Sequence, residues 1–199
     1  MSKDKEIFKL AEEHEGYIIT KDIVKNKIRK ESLKKLADSG KIEKIQRGVY
    51  IIPDIIPDEY KLIQLKISKG IYSFQSALYL WDLSNKVPEE YHITIYQGYN
   101  TKHLKEKYDK IKFHYVKKEI LELGLTSKTS PFGNKIRVYN PERTICDLIK
   151  HKNKIDSQIF SDALTLYFKS KEKNLSTLSK YAEVLKVQEK IHQYTEVLL

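Results

Sequence analysis

Cationic side chains are concentrated in residues 21–47, which hold ten Lys and Arg but only four Asp and Glu. Lys and Arg hold phosphate groups, and Arg also donates paired hydrogen bonds to the edge of guanine. We therefore expect this segment to contact DNA. The predicted contact residues are Thr20, Lys21, Lys27, Arg29, Lys30, Ser32, Lys34, Lys35, Lys44, Gln46 and Arg47. The plainer interpretation of the same lysines is a solvated surface.

A second polar cluster is Glu142-Arg143-Thr144, followed by Asp147. A pair of carboxylates with a neighbouring Lys is a hypothesis for nuclease or nucleotidyl-transfer chemistry. The spacing argues against it, because Glu142 and Asp147 are five residues apart and do not share one helix face. Arg143 and Asp147 are four apart and are expected to pair. We assign no catalytic residue and do not expect an enzyme, although the enzyme remains the alternative function.

Other residues give little support for metal or cofactor chemistry. The six His show no close ligand spacing, and His92 and His114, which lie on predicted strands near one another, are expected to be structural. Cys146 lies on a helix that is predicted to be buried, and we expect it to be a small core residue. No glycine-rich phosphate loop is present in the sequence. We predict no cofactor and no bound metal.

The composition limits the class of protein. The 199 residues carry a formal charge of +10 and are 40% hydrophobic, which excludes intrinsic disorder, and the single Cys excludes a disulfide scaffold. No apolar run approaches the roughly 18 residues of a membrane helix, and the start lacks a signal-peptide stretch. We expect a cytoplasmic protein without a membrane partner, whose charge favours nucleic acid.

The first 53 residues have the element order of a winged helix-turn-helix. A helix over 4–14 precedes a short helix capped by Thr20, a third helix that ends near Ser39, and a hairpin over 41–52. The third helix would enter the major groove, and the hairpin would lie along the backbone or the minor groove. Thr20 would also clamp a phosphate through its hydroxyl and the helix N–H groups.

Residues 58–199 predict a second, mixed α/β domain after the connector Pro53–Pro57, with a small sheet and a helical C-terminal end. The whole chain is therefore expected to be α+β. Predicted helices cover 58–70, a buried segment capped by Ser73, 142–151 after the cap Asn140, 155–170, and 175–198 with a break near Lys186; predicted strands cover 92–97, 111–116 and 135–139. Residues 99–118 hold seven Lys and three Tyr, which suits either single-stranded nucleic acid or a solvated face.

Two stretches of the sequence resemble a known family. The first combines GYIITKDI with LKKLADSGKIEKIQRGVYIIP, and the second combines SFQSALYLWDLSNKVPEEYHITI with SPFGNKIRVYNPERTICDLIK. Together they are similar to the AbiEi-type antitoxins of bacterial abortive-infection, type IV toxin–antitoxin systems, over nearly the whole chain. The most distinctive parts are the wing that ends in Arg-Gly-Val-Tyr and the Pro-Glu-Arg-Thr-x-Cys-Asp segment.

The resemblance implies an N-terminal winged helix that binds double-stranded operator DNA and represses its own operon, with the DNA-binding element at Thr20–Arg47. Inverted repeats are the expected operator form. The resemblance also implies a C-terminal domain that counteracts a nucleotidyltransferase toxin, without a stable complex between the two proteins. A third hypothesis, beside the DNA-binding antitoxin and the enzyme, is a protein-interaction module whose winged helix does not bind DNA.

Overall fold

The computed structural model of the protein describes residues 3–105 and 108–198. The fold is mixed α+β with two small sheets, and it divides into two compact units between Leu62 and Ile63. The division falls a few residues after the predicted connector. Among the described residues, no helix is both long enough and apolar enough to span a bilayer.

The helices of the N-terminal unit follow the apolar spacing of the sequence. They are α1 (Lys3–Glu13), α2 (Thr20–Lys25) and α3 (Lys30–Asp38), and strand β1 (Tyr17–Ile19) separates the first two. Their inward side chains form one core, in which Ile7, Ile23 and Leu33 are almost completely buried. The predicted helix over 4–14 and the short second helix are therefore confirmed.

A three-stranded antiparallel sheet completes the N-terminal unit. Strands β2 (Glu43–Gln46) and β3 (Val49–Ile51) form the predicted hairpin, and β1 pairs with β3 on its other side. Arg47-Gly48 is the turn, and Gly48 has the positive φ of +84° that a tight hairpin turn requires. The register shifts between Lys44 and Gln46, and Ile45 between them is only half-buried.

Thr20 is the first residue of α2 and does not cap it. The cap position belongs to Ile19, and no side chain caps the helix. The reason is tertiary, because pairing of β1 with β3 keeps the backbone extended as far as Ile19, and Thr20 is already helical. The Thr20 N–H donates to the Gly48 carbonyl, 2.9 Å away, which ties the start of α2 to the hairpin turn. The prediction of Thr20 as an N-cap was therefore wrong.

The C-terminal unit contains a five-stranded mixed sheet. The strands are β4 (Ile71–Tyr72), β5 (Tyr91–Tyr96), β6 (Ile111–Val116), β7 (Leu125–Thr129) and β8 (Lys135–Tyr139). Their order is β6-β5-β4-β8-β7, with β5 parallel to β6 and β4 parallel to β8. The sequence predicted β5, β6 and β8. It missed β4, which has two residues, and β7, which is mostly polar and lies at the edge.

Helices pack together to form the core of the C-terminal unit. After α4 (Glu59–Lys66), which crosses the division between the units, come α5 (Phe74–Leu80), the four-residue α6 (Lys102–Lys105), α7 (Pro141–Lys150), α8 (Ser157–Lys169), α9 (Leu175–Leu185) and α10 (Gln188–Leu198). Their buried residues include Leu78, Ile145, Leu164 and Leu178. The predicted break near Lys186 is confirmed, since Lys186 is left-handed with φ +59°.

The two predicted caps of this unit have different outcomes. Asn140 caps α7 as expected, because its side chain accepts a hydrogen bond from the Arg143 N–H. Ser73 occupies the cap position of α5, but its hydroxyl makes no capping bond. That hydroxyl instead accepts from the Thr94 hydroxyl on β5 at 2.8 Å, so a sheet contact replaces the local one.

Candidate nucleic-acid interface

The turn between α2 and α3 presents two of the predicted cations. Lys27 has a positive φ of +59°, and the next residue, Ile28, is buried and donates its N–H to the Ile23 carbonyl. Arg29 follows at the cap position of α3. Because Ile28 is buried between them, Lys27 and Arg29 are exposed on either side of the turn.

Helix α3 buries Leu33 and Leu36 and exposes three predicted lysines, Lys30, Lys34 and Lys35, while the predicted Ser32 is half-buried. The exposed side also carries Glu31 and Asp38, so it is mixed in charge. The negative charges of Glu31 and Asp38 repel a phosphate backbone. The net attraction must therefore come from the cations of α3 together with those of the turn and the hairpin.

The hairpin brings a second group of predicted residues together. Through the bond from Thr20 to Gly48, the start of α2 lies against the turn that contains Arg47. Thr20, Lys21 and Arg47 are thus neighbours, although 26 positions separate Lys21 from Arg47 in the sequence. Lys44 is exposed on β2, opposite Tyr50 of β3.

All eight predicted cations of this surface are exposed. Within the described residues, none of the eight makes a side-chain hydrogen bond, ion pair or ring contact; they are Lys21, Lys27, Arg29, Lys30, Lys34, Lys35, Lys44 and Arg47. By contrast, Asp22 on α2 lies 3.3 Å from His14, and Glu15 pairs with Lys61. Two acids of the unit thus have internal partners, while these cations do not.

Two predicted residues are less available. Gln46 is half-buried, and its side-chain amide donates to the Leu62 carbonyl at 3.4 Å. The predicted phosphate clamp combined the Thr20 hydroxyl with the helix N–H groups, and the Thr20 N–H is not available for it because it is already bonded to Gly48. Sequence reasoning also left out Lys25 and Lys41, which are exposed cations within the same stretch.

The second polar cluster is buried in the C-terminal unit. Glu142, Arg143, Thr144 and Asp147 are each at most 6% exposed. Glu142 accepts hydrogen bonds from the Tyr167 hydroxyl and the Asn174 N–H. Burial raises the pKa of the Asp147 carboxyl, and the adjacent Arg143 opposes that effect. Both carboxylates therefore have internal partners.

Arg143 connects three parts of the C-terminal unit. Its Nε donates to Asp147 at 2.9 Å, as the spacing predicted, and its Nη1 donates to the carbonyls of Ile120 and Leu123, each at 2.9 Å. The guanidinium also lies over the ring of Tyr139, 4.4 Å from its centre. These bonds hold the segment before β7 against α7, so Arg143 has a structural role.

The remaining predictions from the sequence fall in the C-terminal unit. Cys146 is fully buried, and burial raises the pKa of its thiol to about 12. His92 and His114 are neighbours, with 3.2 Å between His92 Nδ1 and His114 Nε2. Among the described residues, no group of three or more His, Cys, Asp or Glu could hold a metal ion.

The basic stretch 99–118 does not form one continuous element. It contains α6 and β6, and its three tyrosines differ in exposure, since Tyr115 is exposed and Tyr99 and Tyr108 are half-buried. The Tyr115 hydroxyl is hydrogen-bonded to that of Thr101. Residues 106–107 and the side chains of residues 103 and 105 lie outside the described part.

Comparison with known proteins finds no matching family model and no similar curated protein.

Proposed function

We propose that the protein is a DNA-binding antitoxin of the AbiEi type, whose N-terminal unit is a winged helix-turn-helix that represses its own operon. The observation that carries the proposal is a set of eight exposed cations on α2, the following turn, α3 and the hairpin, which have no side-chain partner in the described part of the chain. Cations that form no internal ion pair are free to replace the counterions of a phosphate backbone.

The order of elements supports the same proposal. Helix α3 follows α2 after a four-residue turn, and a hairpin with a two-residue turn comes next. In a winged helix, the helix after the turn enters the major groove and the hairpin contacts the backbone or the minor groove. We assign α3 to the first role and the Arg47 turn to the second.

The C-terminal unit is proposed to counteract a nucleotidyltransferase toxin without forming a stable complex with it. This part rests on the resemblance of the sequence. The enzyme alternative finds no support in the geometry, because Glu142 and Asp147 are occupied by internal hydrogen bonds. An adjacent reading frame for a nucleotidyltransferase would add independent support.

Binding of the protein to the DNA upstream of its own gene tests the proposal. Fluorescence anisotropy over a salt series should give a linear fall of log affinity with log salt. If Lys30 contacts phosphate, Lys30→Ala should reduce that slope by about one; if Arg47 contacts a base, Arg47→Ala should cost about 1–3 kcal/mol and relax specificity.

Lys9→Ala is the matched control, because Lys9 is an exposed lysine of the same unit on α1, outside the proposed surface. It should leave both affinity and slope unchanged. Equal affinity of all three variants and the parent protein would overturn the assignment of the surface. Capture of the toxin by a pull-down, together with no shift of upstream DNA, would favour the interaction module instead.

A further inference from the structure

A cleft of about 470 Å³ in the C-terminal unit borders the polar cluster of α7 at Asp147. It is bounded by the start of α5, strands β5 and β6, the end of α7 and the 3-10 turn Lys152–Lys154. The side chains that carry the inference are Phe74, His92, Lys112, His114, His151 and Lys154. The sequence places them at separations of up to 80 residues, so no local motif reveals them.

Three imidazoles surround one phenyl ring in this cleft. Phe74 stacks on His114 with 3.9 Å between the ring centres, and the centres of His92 and His151 lie 6.3 and 5.3 Å from that of Phe74. Phe74 is buried, whereas His114 and His151 are half-buried and line the open space. The cleft therefore offers flat aromatic surface to a ligand.

The backbone at the base of the cleft is strained. Phe74 has a positive φ of +45°, a conformation that is rare for a bulky side chain and is costly unless the surroundings impose it. Such residues cluster at functional sites. Here the strained residue is the one on which His114 stacks, so the strain and the aromatic cluster coincide.

The charges that face the imidazoles are positive. Lys112 and Lys154 both lower the pKa of His114, after burial and together with the neighbouring imidazoles, and Lys112 lowers that of His92 after burial. The two acids nearby have partners, since Glu90, which does not line the cleft, lies 3.7 Å from Lys112, and Asp147 accepts from Arg143. An anion that enters the cleft meets cations and no free carboxylate among these groups.

The hydrogen bonds of the histidines fix what they can offer. His151 Nδ1 lies 2.9 Å from the Asp147 carbonyl, which can only accept, so Nδ1 carries the proton. His92 and His114 share one hydrogen bond between their rings. While both are neutral, the pair has one remaining N–H donor and one remaining lone pair, whichever ring donates.

We propose that this cleft binds a mononucleotide, with its phosphate between Lys112 and Lys154 and its base against the imidazoles of His114 and His151. The two lysines supply charge-assisted hydrogen bonds, and the His92–His114 pair contributes its single N–H. Lys112 leaves Glu90 to reach the phosphate. The site is independent of the DNA-binding surface proposed above.

Isothermal titration calorimetry of the full chain tests the proposal with AMP, GMP, CMP and UMP, and with ribose 5-phosphate and inorganic phosphate as probes without a base. We expect at least one nucleotide to bind about tenfold more tightly than either probe. Lys112→Ala combined with Lys154→Ala should weaken that binding by about tenfold or more.

Two controls separate this site from the rest of the protein. Lys180→Ala removes an exposed lysine of α9 outside the cleft, and Arg47→Ala alters the proposed DNA surface; both should retain full nucleotide affinity. NMR of the His92 and His114 side chains should show that the bound nucleotide raises their pKa values, because an anion stabilises the protonated form.

Three results would overturn the proposal. The first is that no nucleotide binds to the folded protein. The second is that inorganic phosphate binds as tightly as the nucleotides, which would show that the base is not recognised. The third is that nucleotide affinity is unaffected by the double lysine variant, which would place the bound nucleotide elsewhere. None of these results bears on the binding of operator DNA.

Discussion

The two units use charged residues in opposite ways. In the N-terminal unit, eight cations of the turn, helices and hairpin are exposed and have no side-chain partner among the described residues. In the C-terminal unit, Glu142, Arg143 and Asp147 are buried and bonded to groups of the same unit. A buried charge that loses its partner destabilises the fold, whereas an exposed charge can be removed at little cost.

This difference separates structural residues from candidate binding residues more reliably than residue type. Both groups contain Arg and acidic neighbours, and both form dense polar segments in the sequence. Burial and internal hydrogen bonds distinguish them. Stability measurements on variants of the two groups should therefore diverge, and the following predictions are ordered by the expected size of the effect.

The largest effect is expected for Arg143→Ala. It leaves the Asp147 carboxylate buried without its partner and removes the donor to the carbonyls of Ile120 and Leu123. Loss of one partner of a buried ion pair costs about 3–5 kcal/mol. Trp81, the one Trp of the chain, lies in the C-terminal unit, so its fluorescence during urea unfolding reports the loss.

Arg137→Ala is the control for that measurement. Arg137 is half-buried, donates to the Ser68 carbonyl and lies 3.8 Å from the exposed Glu122. We expect a loss of about 1 kcal/mol. Equal losses of unfolding free energy for the two variants would show that the buried Arg143 contributes no more to stability than the half-buried Arg137.

The next effect concerns the glycine that lets the chain approach Arg143. Gly124 has φ +76°, and a Cβ there would lie 2.4 Å from the Cβ of Arg143. Gly124→Ala should therefore cost about 1–3 kcal/mol for the clash, in addition to about 1–2 kcal/mol of backbone strain. Gly133→Ala isolates the strain, because Gly133 has φ +90° and open space around it. Similar losses for both variants in urea unfolding would argue against a close approach at Gly124.

A third prediction concerns pH. Burial, with the positive charge of Lys112, lowers the pKa of His92 to about 4, and burial with neighbouring imidazoles and lysines lowers that of His114 to about 3, from an ordinary 6.5. At pH values between these lowered pKa values and 6.5, the unfolded chain therefore binds more protons than the folded one. The stability linked to the neutral imidazoles is present above pH 6.5 and is lost as the pH falls toward 4 and below.

Each such proton contributes a slope of about 1.4 kcal/mol per pH unit within that window. Urea unfolding followed by Trp81 fluorescence between pH 7 and pH 4.5 measures the slope. His114→Gln should flatten the curve by about one proton and should lower the stability at pH 7. A curve parallel to that of the parent protein would show that His114 is not held neutral by the fold.

The smallest effects are expected on the proposed DNA surface. Lys30→Ala and Arg47→Ala remove exposed side chains that have no partner within residues 3–105 and 108–198, so the free energy of unfolding should change by no more than about 0.5 kcal/mol. Thermal unfolding followed by circular dichroism tests this. A loss of more than 1 kcal/mol for either variant would mean that the side chain has a structural task.

Much of the local structure could be predicted because it depends on neighbours in the sequence. The cap Asn140, the break at Lys186 and the pair formed by Arg143 and Asp147 each involve residues within a turn of helix. The errors arise where a distant residue intervenes. The Ser73 hydroxyl makes no capping bond because Thr94 engages it, and Thr20 is not the cap because pairing with the distant β3 places the cap position at Ile19.

The sequence by itself determined most helix and strand positions, the burial of Cys146 and the location of the exposed cations, since apolar spacing and charge are local properties. Only the tertiary structure decided the strand order, the carbonyl partners of Arg143 and the grouping of Phe74 with three histidines. The reason is physical: side chains far apart along the chain meet only when sheets and helices pack, and periodicity does not record which of them meet.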